Sequence, residues 1–164
     1  MVEDEPLVPH RGIMIDSARH FLKVETISRL IESMPLSKLN ILHWHLSDDE
    51  SFAIQLASHP ELAEASAFRK GQFYTIEQVK QLIDLAKKNG VSIVPEIDTP
   101  GHVRAWGLDK KWSQQNITVL CHKGEGYNNQ LDLSQQSVYQ LAKDVYREID
   151  NIFRDSPYIH MGGD

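Results

Sequence analysis

Residues 75–98 read TIEQVKQLIDLAKKNGVSIVPEID, a helix pattern followed directly by a strand pattern. Thr75 and Gln78 have the spacing of a capping box, which marks the start of a helix. Gly90 stands where a left-handed residue is wanted to end that helix. The run Val91 to Ile97 is nearly all apolar, as in strands that are buried on both faces. This stretch therefore predicts a helix and strand of an α/β protein with a parallel sheet.

The same alternation extends to both sides of this stretch. Strands are predicted at Ile13–Ile15, from about Leu39 to Leu46, at Val91–Ile97 and at Tyr158–Met161. Apolar residues at three- and four-residue spacing predict helices that contain Val24, Ile76 and Val138. Residues 98–133 are predicted to be rich in loops. Four strand-then-helix units imply a parallel sheet covered by helices.

Composition excludes several classes of protein. The 164 residues are 41% hydrophobic and 24% charged, the balance of a globular domain and not of a disordered chain. The net charge of −6 offers no basic surface for a nucleic acid. No apolar run approaches the roughly 18 residues of a membrane span.

Three local features bear on cell compartment. Residues 1–9 lack the basic and apolar segments of a signal peptide. Cys121 is the only cysteine, which leaves open a buried thiol or a bond to a cysteine beyond residue 164. Asn116, Ile117 and Thr118 match the N-glycosylation pattern, which favours an exported protein where the site is used.

Polar side chains crowd where each predicted strand ends. They are Asp16 and Arg19, then His43, His45, Asp48 and Asp49, then Glu96, Asp98 and His102, and finally His160 and Asp164. In parallel α/β barrels the carboxyl ends of the strands carry the site. His43 and His45 are two residues apart, so their side chains must face the same way. We therefore expect these residues to form one site.

Two chemistries could use such a set. The histidines with Asp164 could bind zinc, since imidazole and carboxylate are common zinc ligands, and this predicts a metal-dependent hydrolase. Alternatively, carboxylates held in different protonation states by neighbouring His and Arg could perform acid and base catalysis, as in a glycosidase. The residue types by themselves leave both possibilities open.

The amino-acid sequences of four motifs point to a family. The motifs are RGIMID with Arg19 and His20, LHWHLSDD with Ser51 and Phe52, PEIDTPGH at 95–102, and HMGGD at 160–164. Together they resemble the family-20 glycoside hydrolases, the β-N-acetylhexosaminidases. The resemblance runs from Pro9 to the last residue.

The resemblance implies a fold. It is a (β/α)8 barrel, of which residues 1–164 would supply the N-terminal half, the first four β/α units. In the family the last motif continues with a Glu that is the general acid, and the present sequence stops at Asp164. We therefore expect the chain by itself to be inactive, with open edges at the first and fourth strands that favour association.

The resemblance also implies roles for particular residues. Asp164 would orient the substrate acetamido group, which attacks its own anomeric carbon to give an oxazolinium ion with retention. Asp48 and His102 would form a pair beside the general acid, and Arg11 would bind sugar hydroxyls. Residues expected to support these are His45, Asp49, Glu96, Asp98 and His160.

The implied activity is that of an exo-acting β-N-acetylhexosaminidase. Its partner would be a terminal β-linked GlcNAc or GalNAc of a glycoconjugate or chitooligosaccharide, with no metal, no cofactor and no nucleic acid. The family also implies a lysosomal or extracellular location and leaves a homodimer open. The alternatives are an inactive fragment or sugar-binding relic without the general acid, and the metal-dependent hydrolase.

Overall fold

The computed structural model describes residues 1, 3–120, 126 and 128–163. The strands are β1 (Gly12–Asp16), β2 (Ile41–Ser47), β3 (Ser92–Thr99), β4 (Thr118–Val119), β5 (Gln130–Leu131) and β6 (His160–Gly162). The α-helices are α1 (Val24–Ser33), α2 (Pro60–Ser66), α3 (Ile76–Lys88), α4 (Lys110–Gln114) and α5 (Gln136–Ile152). Single turns of 3-10 helix cover Met34–Ser37 and Arg104–Gly107.

One sheet organises the molecule. Its strands lie in the order β1, β2, β3, β6, and all neighbours are parallel. The order follows the chain without reversal, as in a β/α barrel, whereas a doubly wound sheet reverses its order at a switch point. The predicted parallel α/β architecture is therefore confirmed. The strands β4 and β5 form a separate antiparallel pair.

Helix α3 begins and ends where local chemistry predicts. The Thr75 hydroxyl accepts the backbone N–H of Gln78 at 3.3 Å, and the Gln78 side chain accepts the N–H of Thr75 at 3.0 Å. Gly90 follows the helix with φ of +66°, the left-handed conformation that glycine adopts without strain. The helix packs beside α1 and contributes Val79 and Leu82 to the core.

The core contains aromatic residues whose polar atoms are paired. Trp44 on β2 is fully buried, and its indole N–H donates to the Ser17 hydroxyl at 2.9 Å. The ring of Tyr74 meets Trp44 edge-on at 4.9 Å, and its hydroxyl lies 2.5 Å from the carbonyl of Leu22. These contacts fasten the loop after β1 to the segment before α3 and make Trp44 a core residue.

Some predicted boundaries and elements differ from the structure. The second strand begins at Ile41 and not near Leu39, and the fourth begins at His160 and not at Tyr158. Helix α2 was not predicted, although Pro60 is a residue type that favours the first turn of a helix. The stretch 98–133, predicted as loops, also contains a 3-10 turn, α4 and the β4–β5 pair.

Glu148 joins α5 to the segment between β2 and α2. Its carboxylate accepts the backbone N–H of Ala57 at 2.6 Å and that of Ser58 at 2.9 Å. The Ser58 hydroxyl also donates to it at 2.5 Å. An ionised acceptor strengthens such bonds, so Glu148 fixes a segment about 90 residues away in sequence.

The two outer strands carry exposed apolar side chains. Ile13 and Met14 on β1 are 39% and 51% exposed, and Met161 on β6 is 53% exposed. Apolar residues at open strand edges favour pairing with further structure. None of the helices in the described ranges is long and apolar enough to cross a bilayer.

Candidate active site

Arg19 joins the carboxyl ends of β1 and β2. Its guanidinium lies 2.9 Å from Asp16 Oδ2 and 2.8 Å from Asp48 Oδ2. Asp16 Oδ1 also accepts the backbone N–H groups of Ala18 and Arg19, which turns the chain sharply after β1. The planar Arg19 guanidinium has N–H donors on several sides, so it can contact carboxylates from two neighbouring strands at once.

Asp48 is the most deeply placed carboxylate at this edge. It is 1% exposed, and its Oδ2 lies 2.7 Å from His45 Nε2 as well as beside Arg19. Its Oδ1 accepts the backbone N–H of Asp49 at 2.7 Å. Burial alone would raise the pKa of Asp48, but these hydrogen bonds and the Arg19 charge hold it below its usual value. Asp48 is therefore ionised.

His102 lies close to Asp48, as predicted. Its Nδ1 is 3.5 Å from Asp48 Oδ1 and 3.8 Å from Asp49 Oδ2. His102 has a φ of +55°, an uncommon conformation for a residue with a side chain. Asp49 also accepts the backbone N–H of Arg104 at 3.0 Å, which fixes the chain just after His102. Asp48 and His102 are thus neighbours, with Asp49 beside them, and their role beside a general acid stays a prediction.

Glu96 on β3 lies at the centre of three histidines. Its Oε2 is 2.5 Å from His43 Nε2 and 3.1 Å from His45 Nδ1, and its Oε1 is 3.2 Å from His160 Nδ1. Burial would raise the pKa of Glu96, but the hydrogen bond from His45 and the three imidazoles lower it to about 2. Strand register produces the group, because Glu96 pairs with His45 on one side and His160 on the other.

His45 lies between two carboxylates. It is 3% exposed, with Asp48 at one ring nitrogen and Glu96 at the other. Burial would lower the pKa of His45, but the two carboxylates raise it to about 10. His45 is therefore a buried imidazolium that links the strand-end carboxylate Asp48 to Glu96.

Two of the predicted strand-end residues lie elsewhere. His43 is the third residue of β2, and His160 is the first residue of β6. The prediction that they lie at the carboxyl ends of their strands is wrong. His43 and His45 do face the same way, since both contact Glu96 Oε2, and the rings of His43 and His160 lie 4.8 Å apart.

Asp98 is held near the end of β3 and faces the last motif. It is 4% exposed, and its backbone N–H donates to the Ser47 hydroxyl at 3.1 Å. Gly162 lies directly against its carboxyl group, because a Cβ at Gly162 would be 1.5 Å from Asp98 Oδ1. The Tyr146 hydroxyl supports this strand end by donating to the Ile97 carbonyl at 2.8 Å. The first glycine of the HMGGD motif, Gly162, thus permits a close approach to Asp98.

Arg11 is the predicted site residue that the structure does not bring to this group. It precedes β1, at the opposite end of the strand from Asp16. Its Nε donates to the Lys38 carbonyl at 2.5 Å, and Nη1 donates to the Val8 carbonyl at 2.6 Å. Its role in sugar binding stays a prediction from the resemblance.

Two other predictions concern residues outside the described ranges, Asp164 and Cys121. Conversely, Tyr146 supports the site although no sequence motif contains it, and Ser47 supports it although no role was predicted for this residue of the LHWHLSDD motif. Arg19 was marked as a strand-end residue, and its spacing of three from Asp16 was the available signal for their ion pair. Nothing in the sequence of α5 signals that Tyr146 reaches β3.

Among the residues that the structure describes, three groups of side chains have donor atoms close enough to share a metal ion. They are His43, Glu96 and His160; His45, Asp48 and Asp98; and Asp48, Asp49 and His102, each with atoms within 4.8 Å of one another. Several of these atoms are already engaged. His45 Nε2 contacts Asp48, and His160 Nδ1 accepts the backbone N–H of Gly162 at 3.1 Å. A metal would have to replace these contacts.

Known proteins are similar to this chain in sequence. The chain is 36% identical over 166 residues to the β-hexosaminidase subunit beta of Mus musculus, covering 99% of this chain and 30% of the relative. It is 32% identical over 171 residues to the chitooligosaccharidolytic β-N-acetylglucosaminidase of Bombyx mori, covering 99% and 28%. The chain thus spans under a third of the length of these relatives.

A solved structure agrees with the fold. The family-20 exo-β-N-acetylglucosaminidase of Vibrio harveyi, crystallised with N-acetylglucosamine, superposes with a TM-score of 0.86 at 34% identity. The match covers 98% of this chain and 28% of that enzyme. The model of the glycosyl hydrolase family 20 catalytic domain matches residues 8–164. The motifs, the sequential parallel sheet and these similarities together show that the chain belongs to glycosyl hydrolase family 20, as the N-terminal part of a (β/α)8 catalytic barrel.

Proposed function

We propose that this chain forms part of an exo-acting β-N-acetylhexosaminidase that removes terminal β-linked GlcNAc or GalNAc from glycoconjugates or chitooligosaccharides. The observation that carries the proposal is the ionised, buried Asp48 next to His102 at the carboxyl edge of the sheet. The Vibrio relative was crystallised with N-acetylglucosamine, and the Bombyx relative is named for its action on chitooligosaccharides. Both names favour an N-acetylated amino sugar as substrate.

The proposed reaction uses the substrate as its own nucleophile. The acetamido carbonyl oxygen bonds to the anomeric carbon as the glycosidic C–O bond breaks, and the departing oxygen takes a proton from a general acid. Water then bonds to the anomeric carbon while the bond from that carbon to the acetamido oxygen breaks. The water gives a proton to the conjugate base of the general acid, with net retention. The general acid would be a Glu that follows Asp164.

Asp164 would hold the acetamido N–H, which gains positive charge as the ring closes. A fixed anion there stabilises the transition state more than the ground state. His102 would tune the general acid, and Asp48 would fix the orientation of the His102 ring. Arg11 would bind the sugar hydroxyls once it exchanges its contacts with backbone carbonyls.

We further propose that residues 1–164 supply the first four units of the barrel. The exposed apolar side chains on β1 and β6 support this, since both strands would gain neighbours in a closed barrel. Residues 1–164 prepared alone should then be inactive and should aggregate or pair through these edges. Size-exclusion chromatography would test this, and a monomer with a cooperative thermal transition would contradict it.

The proposed location is lysosomal or extracellular, and a homodimer is compatible with the family. Both follow from the resemblance and concern the whole protein. Its glycan partners would be met in these compartments, because terminal N-acetylhexosamines are exposed on secreted and degraded glycoconjugates.

The activity can be tested on nitrophenyl glycosides with the catalytic domain that includes this chain. Cleavage is expected for the N-acetyl-β-glucosaminide and the N-acetyl-β-galactosaminide. The glucosaminide with a free amine should not be cleaved, because it lacks the carbonyl nucleophile. The first product observed by NMR should be the β-anomer. Equal cleavage of the free-amine substrate would contradict the substrate-assisted mechanism.

The alternatives have their own outcomes. A sugar-binding relic would bind N-acetylglucosamine without turnover of any glycoside. A metal-dependent hydrolase is favoured by the three groups of donor atoms described above. Prolonged EDTA treatment separates it from the proposal: we expect activity to survive, whereas loss of activity with recovery on adding zinc would support the metal-dependent hydrolase.

A further inference from the structure

Asn116, Ile117 and Thr118 form the single N-x-S/T pattern in the 164-residue sequence. The three residues link α4 to β4, on the part of the chain that follows His102. None of them belongs to the candidate active site. A single pattern gives an unambiguous experiment, because every glycan on an asparagine of this chain must lie there.

The backbone of Asn116 is fixed while its side chain is exposed. Its φ is +50°, a left-handed conformation in which Asn is enriched. Its N–H donates to the Ser113 carbonyl at 3.1 Å, and its carbonyl accepts the Gln135 side-chain amide at 2.9 Å. The Asn116 carboxamide makes no hydrogen bond to the residues that the structure describes, so a substituent on Nδ2 would break none of these bonds.

Ile117 and Thr118 are buried, in contrast to the exposed Asn116. Ile117 is fully buried and Thr118 is 8% exposed. The Thr118 hydroxyl lies so close to the 3-10 turn that a Cβ at Gly107 would be 2.7 Å from it. Recognition of the pattern requires the Thr hydroxyl, and in the folded chain Thr118 is buried against Gly107. Modification therefore has to precede folding of this turn.

There is room for a sugar beside the exposed carboxamide. Asn116 borders a shallow cavity of about 210 Å³ together with Leu108 and Asn128. Leu108 is 40% exposed there. The first sugar of a glycan could lie over this apolar side chain without displacing the main chain.

We propose that Asn116 carries an N-linked glycan, attached before residues 116–118 fold. In the transfer, Asn116 Nδ2 forms a bond to the anomeric carbon of a lipid-pyrophosphate-linked oligosaccharide. The bond from that carbon to the pyrophosphate oxygen breaks, the lipid pyrophosphate leaves with the electron pair, and Nδ2 gives up one proton. An oligosaccharyltransferase of the secretory pathway supplies the donor. The proposal uses the exported location proposed above and does not depend on the hydrolase activity.

The first experiment secretes the catalytic domain that includes this chain from eukaryotic cells, treats it with peptide N-glycosidase and analyses the peptide that contains residue 116 by mass spectrometry. We expect aspartate at position 116 after treatment in the unchanged protein and in Thr118→Ser, which keeps the pattern. Thr118→Val should keep asparagine at position 116, and Asn116→Gln should carry no glycan there.

A positive control uses Lys70→Asn with Gln72→Thr in the Asn116→Gln background. This places a new pattern on an exposed turn between α2 and α3. If residue 70 of the control is glycosylated and Asn116 of the unchanged protein is not, the proposal is wrong.

A second experiment tests the order of events. A synthetic peptide of residues 110–120 and the folded, unglycosylated protein are each given an oligosaccharyltransferase and a lipid-linked donor. The peptide should be modified and the folded protein should not. Equal modification of both would overturn the inference that folding covers Thr118.

Discussion

Gly162 and Asp98 approach so closely that a Cβ atom on residue 162 would lie 1.5 Å from Asp98 Oδ1. Gly162 also has a φ of +70°. The glycine is therefore required twice, once by the backbone conformation and once by the neighbouring carboxyl group. The contact joins β6 to β3 at the edge of the sheet where the candidate site lies.

Gly162→Ala should destabilise the protein and displace the Asp98 side chain. The clash adds about 1–3 kcal/mol of overpacking to the cost of a left-handed alanine. Urea unfolding of the variant and the unchanged catalytic domain that includes this chain gives the difference in the free energy of unfolding. Gly90→Ala is the matched control, because Gly90 has a φ of +66° and no atom within 4 Å of its Cβ position. Equal losses for both variants would show that the contact with Asp98 has no cost of its own.

The contacts of His45 with Asp48 and Glu96 should make the free energy of unfolding depend on pH in both the acidic and the alkaline range. The pKa of His45 is raised from 6.5 to about 10, so its contribution is complete below pH 6.5 and is lost as pH rises towards 10. The pKa of Glu96 is lowered from 4.5 to about 2, so its contribution is complete above pH 4.5 and is lost on acidification towards pH 2. Unfolding free energy should be highest between pH 4.5 and 6.5.

His45→Gln should reduce the alkaline part of this dependence. It should also cost about 3–5 kcal/mol near neutral pH, because two carboxylates lose the cation between them. Urea titrations at several pH values would measure both effects. His20→Gln, which removes an exposed imidazole, should keep the original pH profile. An unchanged alkaline decline in His45→Gln would assign that decline to another group.

Tyr146→Phe should lower the free energy of unfolding by about 1–2 kcal/mol. The Tyr146 hydroxyl donates to the Ile97 carbonyl and lies 2.7 Å from the Thr99 hydroxyl. Its removal leaves the Ile97 carbonyl and the Thr99 hydroxyl without this hydrogen-bond partner. Tyr139→Phe is the control, since Tyr139 also donates to a carbonyl but is 51% exposed and water can replace it. Thermal unfolding should separate the two variants, and similar melting temperatures would argue against a special role for the α5–β3 contact.

Asp164→Asn should lower kcat on a nitrophenyl GlcNAc substrate about ten- to a thousandfold, with a smaller change in KM. The reason is that the proposed carboxylate interacts most strongly with the positive charge of the transition state. Asp155→Asn tests for a general effect of lost charge, because Asp155 is an exposed partner of Lys87 at 3.0 Å. Unchanged kcat in Asp164→Asn would make Asp164 structural.

Local rules predicted the parts of the fold that depend on neighbouring residues. The capping box at Thr75, the left-handed Gly90 and the common face of His43 and His45 all follow from spacing alone. The contacts of Glu96 do not, because they require the register of three strands. That register shifts between His45 and Ser47 and again between Glu96 and Thr99. Such irregularities re-aim side chains, and sequence periodicity does not reveal them.

The pairing of Asp48 with His102 was predicted only through the resemblance. The two residues are 54 positions apart, and no periodic pattern relates a loop after β2 to one after β3. The Arg11 prediction came from the same source, yet the described geometry places its guanidinium among backbone carbonyls. Motif similarity thus predicts which residue types occupy the matching positions. It does not predict the orientation of a long side chain such as Arg11, which depends on the surrounding residues.

The sequential strand order has a consequence for how the site comes into being during synthesis. Each of β2, β3 and β6 pairs with a strand that has already emerged, so the sheet can grow in step with translation. The contacts of Glu96 with His160 and of Asp98 with Gly162 involve β6, which emerges after the other three strands described in this sheet. We therefore expect the polar contacts at this edge of the sheet to form after the apolar core has packed. Until β6 pairs with β3, the charged side chains that it will cover stay hydrated.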